Sequence, residues 1–175
     1  MEKILFIGPP GAGKTTQAKL LLNYGFQHIS TGDLIRNTKD KEVLNYLESI
    51  NNGGFLPDKL IFKLIENSIE ERNYILDGAV RTIPQAKYII EKNLIDKVFH
   101  LGASKKTCNY RLLNRNQGRK DDTPEAIEKR FEKYFEETIP TLQILKRPRK
   151  YYHINAEDSI EEVHYEMKKW LGLSK

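Results

Sequence analysis

Residues Gly8-Pro9-Pro10-Gly11-Ala12-Gly13-Lys14-Thr15 decide how this chain folds. Gly8 is followed by four residues, then by Gly13-Lys14 and a hydroxyl side chain, and the stretch lies between the apolar run Lys3–Ile7 and the helical run 16–22. Glycines let a backbone wrap close to a phosphate, so that successive N–H groups point inward. A helix that starts directly afterwards adds its N-terminal partial positive charge to the same place. In this pattern Lys14 reaches the β- and γ-phosphates of a nucleotide and the Thr15 hydroxyl ligates Mg²⁺. The competing reading is a glycine turn that matches by chance, and the strand–loop–helix context argues against it.

The rest of the chain reads outward from that loop. Four short apolar runs, 4–7, 74–76, 98–101 and 151–154, have the length of buried strands, and each is followed by a turn or cap signal and then by helical periodicity. Such alternation builds parallel βαβ units, and hence an α/β sheet covered on both faces. Helix starts are marked by Ser30 before Asp33, Thr82 before Gln85 and Asp158 before Glu161, all at capping-box spacing, and by Thr123-Pro124. The helix after Thr123 carries Ile127, Phe131, Tyr134 and Phe135 on one stripe, which reads as core. Residues 37–60 break the alternation with a polar stretch, a short helical pattern at 43–47 and the loop Asn51-Asn52-Gly53-Gly54. This is a small helical excursion, too short to be an independent domain.

Composition bounds the function. The 175 residues suit one domain with a sizeable core, and 39% hydrophobic with 30% charged residues is an ordinary globular balance. No apolar stretch approaches the roughly 20 residues of a membrane span, and the first apolar run is too short for a secretory leader. Cys108 is the single cysteine, which excludes an internal disulfide and any multi-cysteine zinc site. A reducing, cytoplasmic setting is therefore expected. The net charge of +5 leaves a polyanionic partner open without naming it.

Two further features narrow the chemistry. Asp77 ends the run 74–76, at the strand edge where parallel sheets place ligand residues, and a carboxylate there can hold the water shell of Mg²⁺. Four of the nine arginines fall at Arg111, Arg115, Arg119 and Arg130. Arg111 and Arg115 are four apart on a helix and share a face. Residues 104–130 hold eight Lys/Arg against four Asp/Glu. A hydrolase needs one phosphate site and a positioned water, whereas a kinase acting on a nucleotide brings two polyanions together and needs several fixed cations. Arginine suits that task through its planar, permanently charged fork. Arg36 and Arg81 stand near strand ends where a second ligand would dock.

These residues resemble the adenylate kinase family of nucleoside monophosphate kinases. The resemblance rests on residues 8–14 with Thr16-Gln17, on His28-Ile29-Ser30-Thr31-Gly32-Asp33-Leu34-Ile35-Arg36, and on Asp77-Gly78, Arg81-Thr82 and Pro84-Gln85-Ala86. Gly118-Arg119-Lys120-Asp121-Asp122-Thr123-Pro124-Glu125 and Arg130 continue it, in order and at compatible spacing. The family implies a P-loop NTPase-like, three-layer α/β/α fold with a five-stranded parallel sheet. It implies one domain over residues 1–175, with a nucleoside monophosphate-binding insertion at 31–60 and a short lid loop at 115–122. It also implies reversible transfer of the γ-phosphoryl of MgATP to AMP, giving two ADP.

Site residues follow from the same resemblance. Gly11, Ala12, Gly13, Lys14, Thr15 and Thr16 would hold the donor phosphates, with Thr15 on Mg²⁺ and Asp77 on it through water. Arg111 and Ala156 would lie at the ATP base, and Arg115 would assist on the donor side. Arg36 and Arg81 would grip the acceptor α-phosphate, with Arg119 and Arg130 neutralising the transferring group. Thr31, Gly32, Leu56, Gly78 and Gln85 would line the acceptor site. Segments 37–60 and 115–122 would close over the two nucleotides to exclude water. The chain departs from the family's usual pattern in three places. Gly78-Ala79-Val80-Arg81 stands where Gly-Phe-Pro-Arg is usual, Thr15 replaces a glycine, and the lid is very short.

Other function classes stay open beside this one: a kinase for UMP, CMP or a deoxynucleotide, or a module that only binds or slowly hydrolyses ATP. The run Lys146-Arg147-Pro148-Arg149-Lys150 before two tyrosines could contact single-stranded nucleic acid, but reads more simply as a solvated loop. The expectation is a cytoplasmic monomer that uses Mg²⁺ without zinc and binds neither nucleic acid nor membrane. His28, His100, His153 and His164 show no pairing spacing with carboxylates, Cys108 reads as a small buried hydrophobe, and Trp170 as an anchor of the last helix.

Overall fold

The computed structural model describes residues 1–51, 56–115, 123–146 and 150–173. Five strands, β1 (Lys3–Ile7), β2 (Gln27–Ser30), β3 (Tyr74–Asp77), β4 (Lys97–Gly102) and β5 (Lys150–Asn155), form one sheet in the order β2-β3-β1-β4-β5. Every pairing is parallel. From β1 the chain leaves to one side of the sheet and later returns to the other, so β1 marks the switch point where parallel α/β sheets bind ligands. The sheet is the expected five-stranded one, although only four of its strands are apolar runs. The edge strand β2, Gln-His-Ile-Ser, has too few apolar residues to stand out.

Helices cover both faces. One face buries Leu5, Ile7, Leu76 and Val98 under α2 (Thr31–Asn37), α3 (Lys41–Leu44), α5 (Asp58–Glu66), α6 (Ile83–Glu91) and α9 (Thr141–Lys146). Between α3 and α5 runs α4 (Leu47–Asn51). The opposite face buries Ile4, Phe6, Ile75 and Phe99 under α1 (Lys14–Leu21), α7 (Lys105–Leu113), α8 (Pro124–Lys133) and α10 (Ile160–Leu171). The period-2 alternation within β1, even positions to one side and odd to the other, makes the three layers. No helix among the described residues is long and apolar enough to cross a membrane.

The expected caps form at Ser30, Thr82 and Thr123, whose side chains accept from the N–H of Asp33, Gln85 and Ala126. Asp158 is not the cap of the last helix. Ser159 takes that role in a full capping box with Glu162, while Asp158 accepts from the Asn155 side chain. The pattern at 43–47 is two short helices, α3 and α4, rather than one. The stripe after Thr123 also needs correction. Ile127, Phe131 and Tyr134 are buried, but Phe135 is 54% exposed. Residues Tyr134–Thr138 form a π-helical turn in which Tyr134 C=O accepts from Ile139 N–H at 2.9 Å. Pro140 cannot donate to the helix and crowds its preceding turn, which accounts for the widening.

Candidate active site

The phosphate loop joins β1 to α1. Gly13 stands at the α1 N-cap with φ 91° and Gly11 has φ 84°. At Gly11 the left-handed backbone is reinforced by a close approach, since a Cβ there would lie 2.6 Å from the Cys108 carbonyl oxygen on α7. Lys14 Nζ donates to the carbonyls of Gly8 and Pro9, both at 2.8 Å, and so folds back over its own loop. Burial lowers its pKa to about 8; the nearby charges of Arg130 and Arg81 push the same way and Asp77 opposes them. The fold therefore brings Lys14, Asp77, Arg81 and Arg130 into one electrostatic neighbourhood, although up to 116 positions separate them in the chain.

Asp77 is the anionic centre of this neighbourhood. It is buried at the carboxyl end of β3, in register with Phe6 of β1 and Ser30 of β2. Thr15 Oγ1 donates to Asp77 Oδ2 at 2.7 Å. His28 Nε2 lies 3.2 Å from the same oxygen. Burial alone would raise the Asp77 pKa; the hydrogen bonds from His28 and Thr15 and the charge of Lys14 outweigh it and hold the carboxyl below its ordinary range. One ionised carboxylate and one hydroxyl, set beside a loop shaped for phosphate, fit a Mg²⁺ ion that keeps most of its ligands as phosphate and water. His28 corrects the sequence reading, in which no histidine paired with a carboxylate. The partners are 49 residues apart and meet only because β2 and β3 are neighbours.

On the acceptor side, Thr31 opens α2 with 1% exposure, and its hydroxyl has no hydrogen-bond partner among the described residues. Arg36 Nη2 donates to Asp33 Oδ1 at 2.5 Å, and its guanidinium covers Gly32, where a Cβ would come within 3.1 Å of it. Leu56 is buried in the same layer. Arg81 lies in the loop after β3, its guanidinium 3.9 Å from where a Cβ on Gly78 would stand. Gln85 is fully buried, and its amide has several partners. Gln85 Oε1 accepts from the N–H of Arg81 at 2.7 Å and of Thr82 at 3.3 Å, while Nε2 donates to Asp58 Oδ1 at 2.6 Å.

On the donor side, Arg111 Nη1 donates to the Ala156 carbonyl at 2.7 Å, joining two residues expected at the same base. Thr16 is exposed beside the loop, and Arg115 follows the end of α7. Arg130 is near the end of α8. Arg119, the rest of the lid segment at 116–122, the loop 52–55 and residues 147–149 of the basic run lie outside the described residues.

A phosphate loop, a buried carboxylate on its hydroxyl and the charges of Arg81 and Arg130 beside Lys14 meet in one place. The family model described as adenylate kinase matches residues 6–150. The chain belongs to the adenylate kinase family. It is thus a phosphotransferase, a nucleoside monophosphate kinase. Adenylate kinase 1 of Nostoc sp. is 36% identical to the kinase over 98% of this chain and 100% of the relative. Adenylate kinase of Mesomycoplasma hyopneumoniae is 34% identical over 97% and 98%, and that of Encephalitozoon cuniculi is 37% identical over 89% of each. Besides His28, sequence reasoning missed Asp58 and Thr138, which touch Gln85 and the Arg81 backbone. No local spacing signals either contact.

Proposed function

We propose that the kinase transfers the γ-phosphoryl group of MgATP reversibly to AMP, giving two ADP. The observation that supports AMP as acceptor is the buried hydroxyl of Thr31 at the carboxyl edge of the sheet, without a hydrogen-bond partner among the described residues. A buried polar group without a partner costs free energy, and a base edge docking against α2 would satisfy it.

In this reading Gly11, Ala12, Gly13, Lys14, Thr15 and Thr16 hold the donor phosphates. Thr15 would ligate Mg²⁺ and Asp77 would hold it through water; the ion would supply positive charge to offset that of the phosphates. Lys14 exchanges the carbonyls of Gly8 and Pro9 for phosphate oxygens. Arg111 and Ala156 flank the ATP base, and Arg115 assists on the donor side. Arg36 and Arg81 hold the acceptor phosphate, while Thr31, Gly32, Leu56, Gly78 and Gln85 line the acceptor site. Arg119 and Arg130 offset charge on the group in transit. The bond from the γ-phosphorus to its bridging oxygen breaks, and a bond to an AMP phosphate oxygen forms.

The test is a panel of AMP, GMP, UMP, CMP and dAMP with MgATP, read as ADP formation. The expected result is a kcat/KM for AMP at least ~100-fold above the pyrimidine nucleotides. Equal rates with UMP or CMP would overturn AMP as the preferred acceptor and leave the phosphotransferase intact.

A further inference from the structure

Arg81 lies outside any helix or strand, so no regular hydrogen-bond ladder holds its backbone. Side chains take that role at both ends of the residue. Gln85 Oε1 accepts from Arg81 N–H at 2.7 Å, and Thr138 Oγ1 donates to the Arg81 carbonyl at 2.9 Å. Both side chains are buried, with Gln85 at 0% and Thr138 at 5% exposure. Gln85 belongs to the helix that follows Arg81, so its bond is local. Thr138 is 57 residues away and comes from a different layer of contacts.

Thr138 ends the π-helical turn that continues the Arg130 helix. The turn is itself fixed at several points. Thr141 Oγ1 donates to the Thr138 carbonyl at 2.6 Å. At its start, Tyr134 OH lies 3.2 Å from His100 Nε2, and His100 Nδ1 lies 2.7 Å from Tyr151 OH. The turn is thus fastened to β4 and β5, and Thr138 carries that fixed frame to the Arg81 main chain.

We infer that Thr138 is a positioning residue for Arg81: its hydroxyl ties the acceptor-side arginine to the helix that carries Arg130. The inference rests on the assignment of Arg81 to the acceptor phosphate. Without the hydroxyl, the Arg81 carbonyl loses this bond and the guanidinium loses a backbone anchor that helps to aim it. The donor phosphates, held by the loop at residues 8–15, feel no direct change.

The experiment compares Thr138→Val, Thr138→Ser and Arg81→Lys in the full chain, with KM for AMP, KM for ATP, kcat and the melting temperature measured for each. Val keeps the shape and removes the hydroxyl. We expect Thr138→Val to raise KM for AMP about tenfold and leave KM for ATP within about twofold, because one weakened guanidinium–phosphate hydrogen bond is worth roughly one decade. Thr138→Ser restores the hydroxyl and returns KM for AMP to the parent value. A Thr138→Val enzyme with unchanged KM for AMP overturns the inference if Arg81→Lys raises that constant. Parallel rises in both KM values with a lower melting temperature, not rescued by Ser, also overturn it in favour of a merely structural hydroxyl. If Arg81→Lys leaves KM for AMP untouched, the acceptor role of Arg81 fails, and the positioning role of Thr138 falls with it.

Discussion

Thr15 Oγ1 donates to Asp77 Oδ2 across 2.7 Å, linking the start of α1 to the end of β3 over 62 residues of chain. The carboxylate keeps its charge although buried, because His28, Thr15 and Lys14 converge on it. This bond holds the proposed Mg²⁺ ligand and its water-bridging partner in one place before any nucleotide arrives.

Replacing Asp77 by Asn tests that arrangement. The amide oxygen can still accept from Thr15, but the negative charge opposite Lys14 is lost. The Mg²⁺ concentration needed for half-maximal rate at fixed ATP should rise by about ten- to a hundredfold. A magnesium titration of the steady-state rate measures it. An unchanged titration curve would remove Asp77 from the metal's surroundings.

Two glycines of the phosphate loop should differ when changed to Ala. A Cβ on Gly13 meets nothing within 4 Å and has only its φ of 91° to strain it. A Cβ on Gly11 carries similar backbone strain and also meets the Cys108 carbonyl at 2.6 Å. Gly13→Ala should cost about 1–2 kcal/mol of stability, the left-handed penalty alone. Gly11→Ala should cost more and weaken ATP binding further, as read by denaturant melts and by titration calorimetry with ATP. Equal effects would mean that the contact with α7 yields freely.

The acid limb of the stability profile should depend on His100. Burial, reinforced by the neighbouring charges of His153, Lys146 and Lys14, lowers its pKa to about 4. In the unfolded chain the ring titrates near its ordinary value of about 6.5. The unfolded state therefore binds the proton first, and the stability present above pH 6.5 is lost as pH falls toward 4. With the ring only partly shielded from water, the loss is about 2 kcal/mol. His100→Gln, which keeps polar contacts toward Tyr134 and Tyr151, should flatten the melting-temperature slope between those pH values. An identical slope would assign the acid sensitivity to other groups.

Cys108 is fully buried behind the phosphate loop, and burial raises its thiol pKa. A thiol so held is protonated and shielded at neutral pH, and only the thiolate is nucleophilic. A chromogenic disulfide reagent should leave the native kinase unlabelled over minutes and label one thiol per chain at once in denaturant. Fast labelling of the native protein would show that α7 opens readily from the loop.

Much of this architecture is legible in local sequence. The glycines and Lys14 declare the phosphate loop because backbone freedom and charge must stand at fixed offsets. The caps at Ser30, Thr82 and Thr123 are visible because a side chain satisfies an N–H three positions on. Spacing alone does not pick the Ser159 cap, because Asp158, one residue earlier, stands at the same spacing from Glu161. Strand β2 does not stand out as an apolar run because Gln27, His28 and Ser30 take three of its four positions. Phe135 falls on the core stripe only in an unbroken α-helix, and the π-helical turn before Pro140 rotates it outward.

What the sequence by itself determined is therefore periodicity, punctuation and the loop that cradles phosphate, all set by interactions within a few residues. The tertiary structure alone decided that His28 meets Asp77, that Gln85 reaches Asp58, and that Thr138 holds the Arg81 carbonyl. Those partners stand 27 to 57 positions apart. Strand order sets the first, because β2 and β3 are neighbours, and the packing of helices over the sheet sets the other two. A buried polar group must then be satisfied by whichever side chain the fold delivers there.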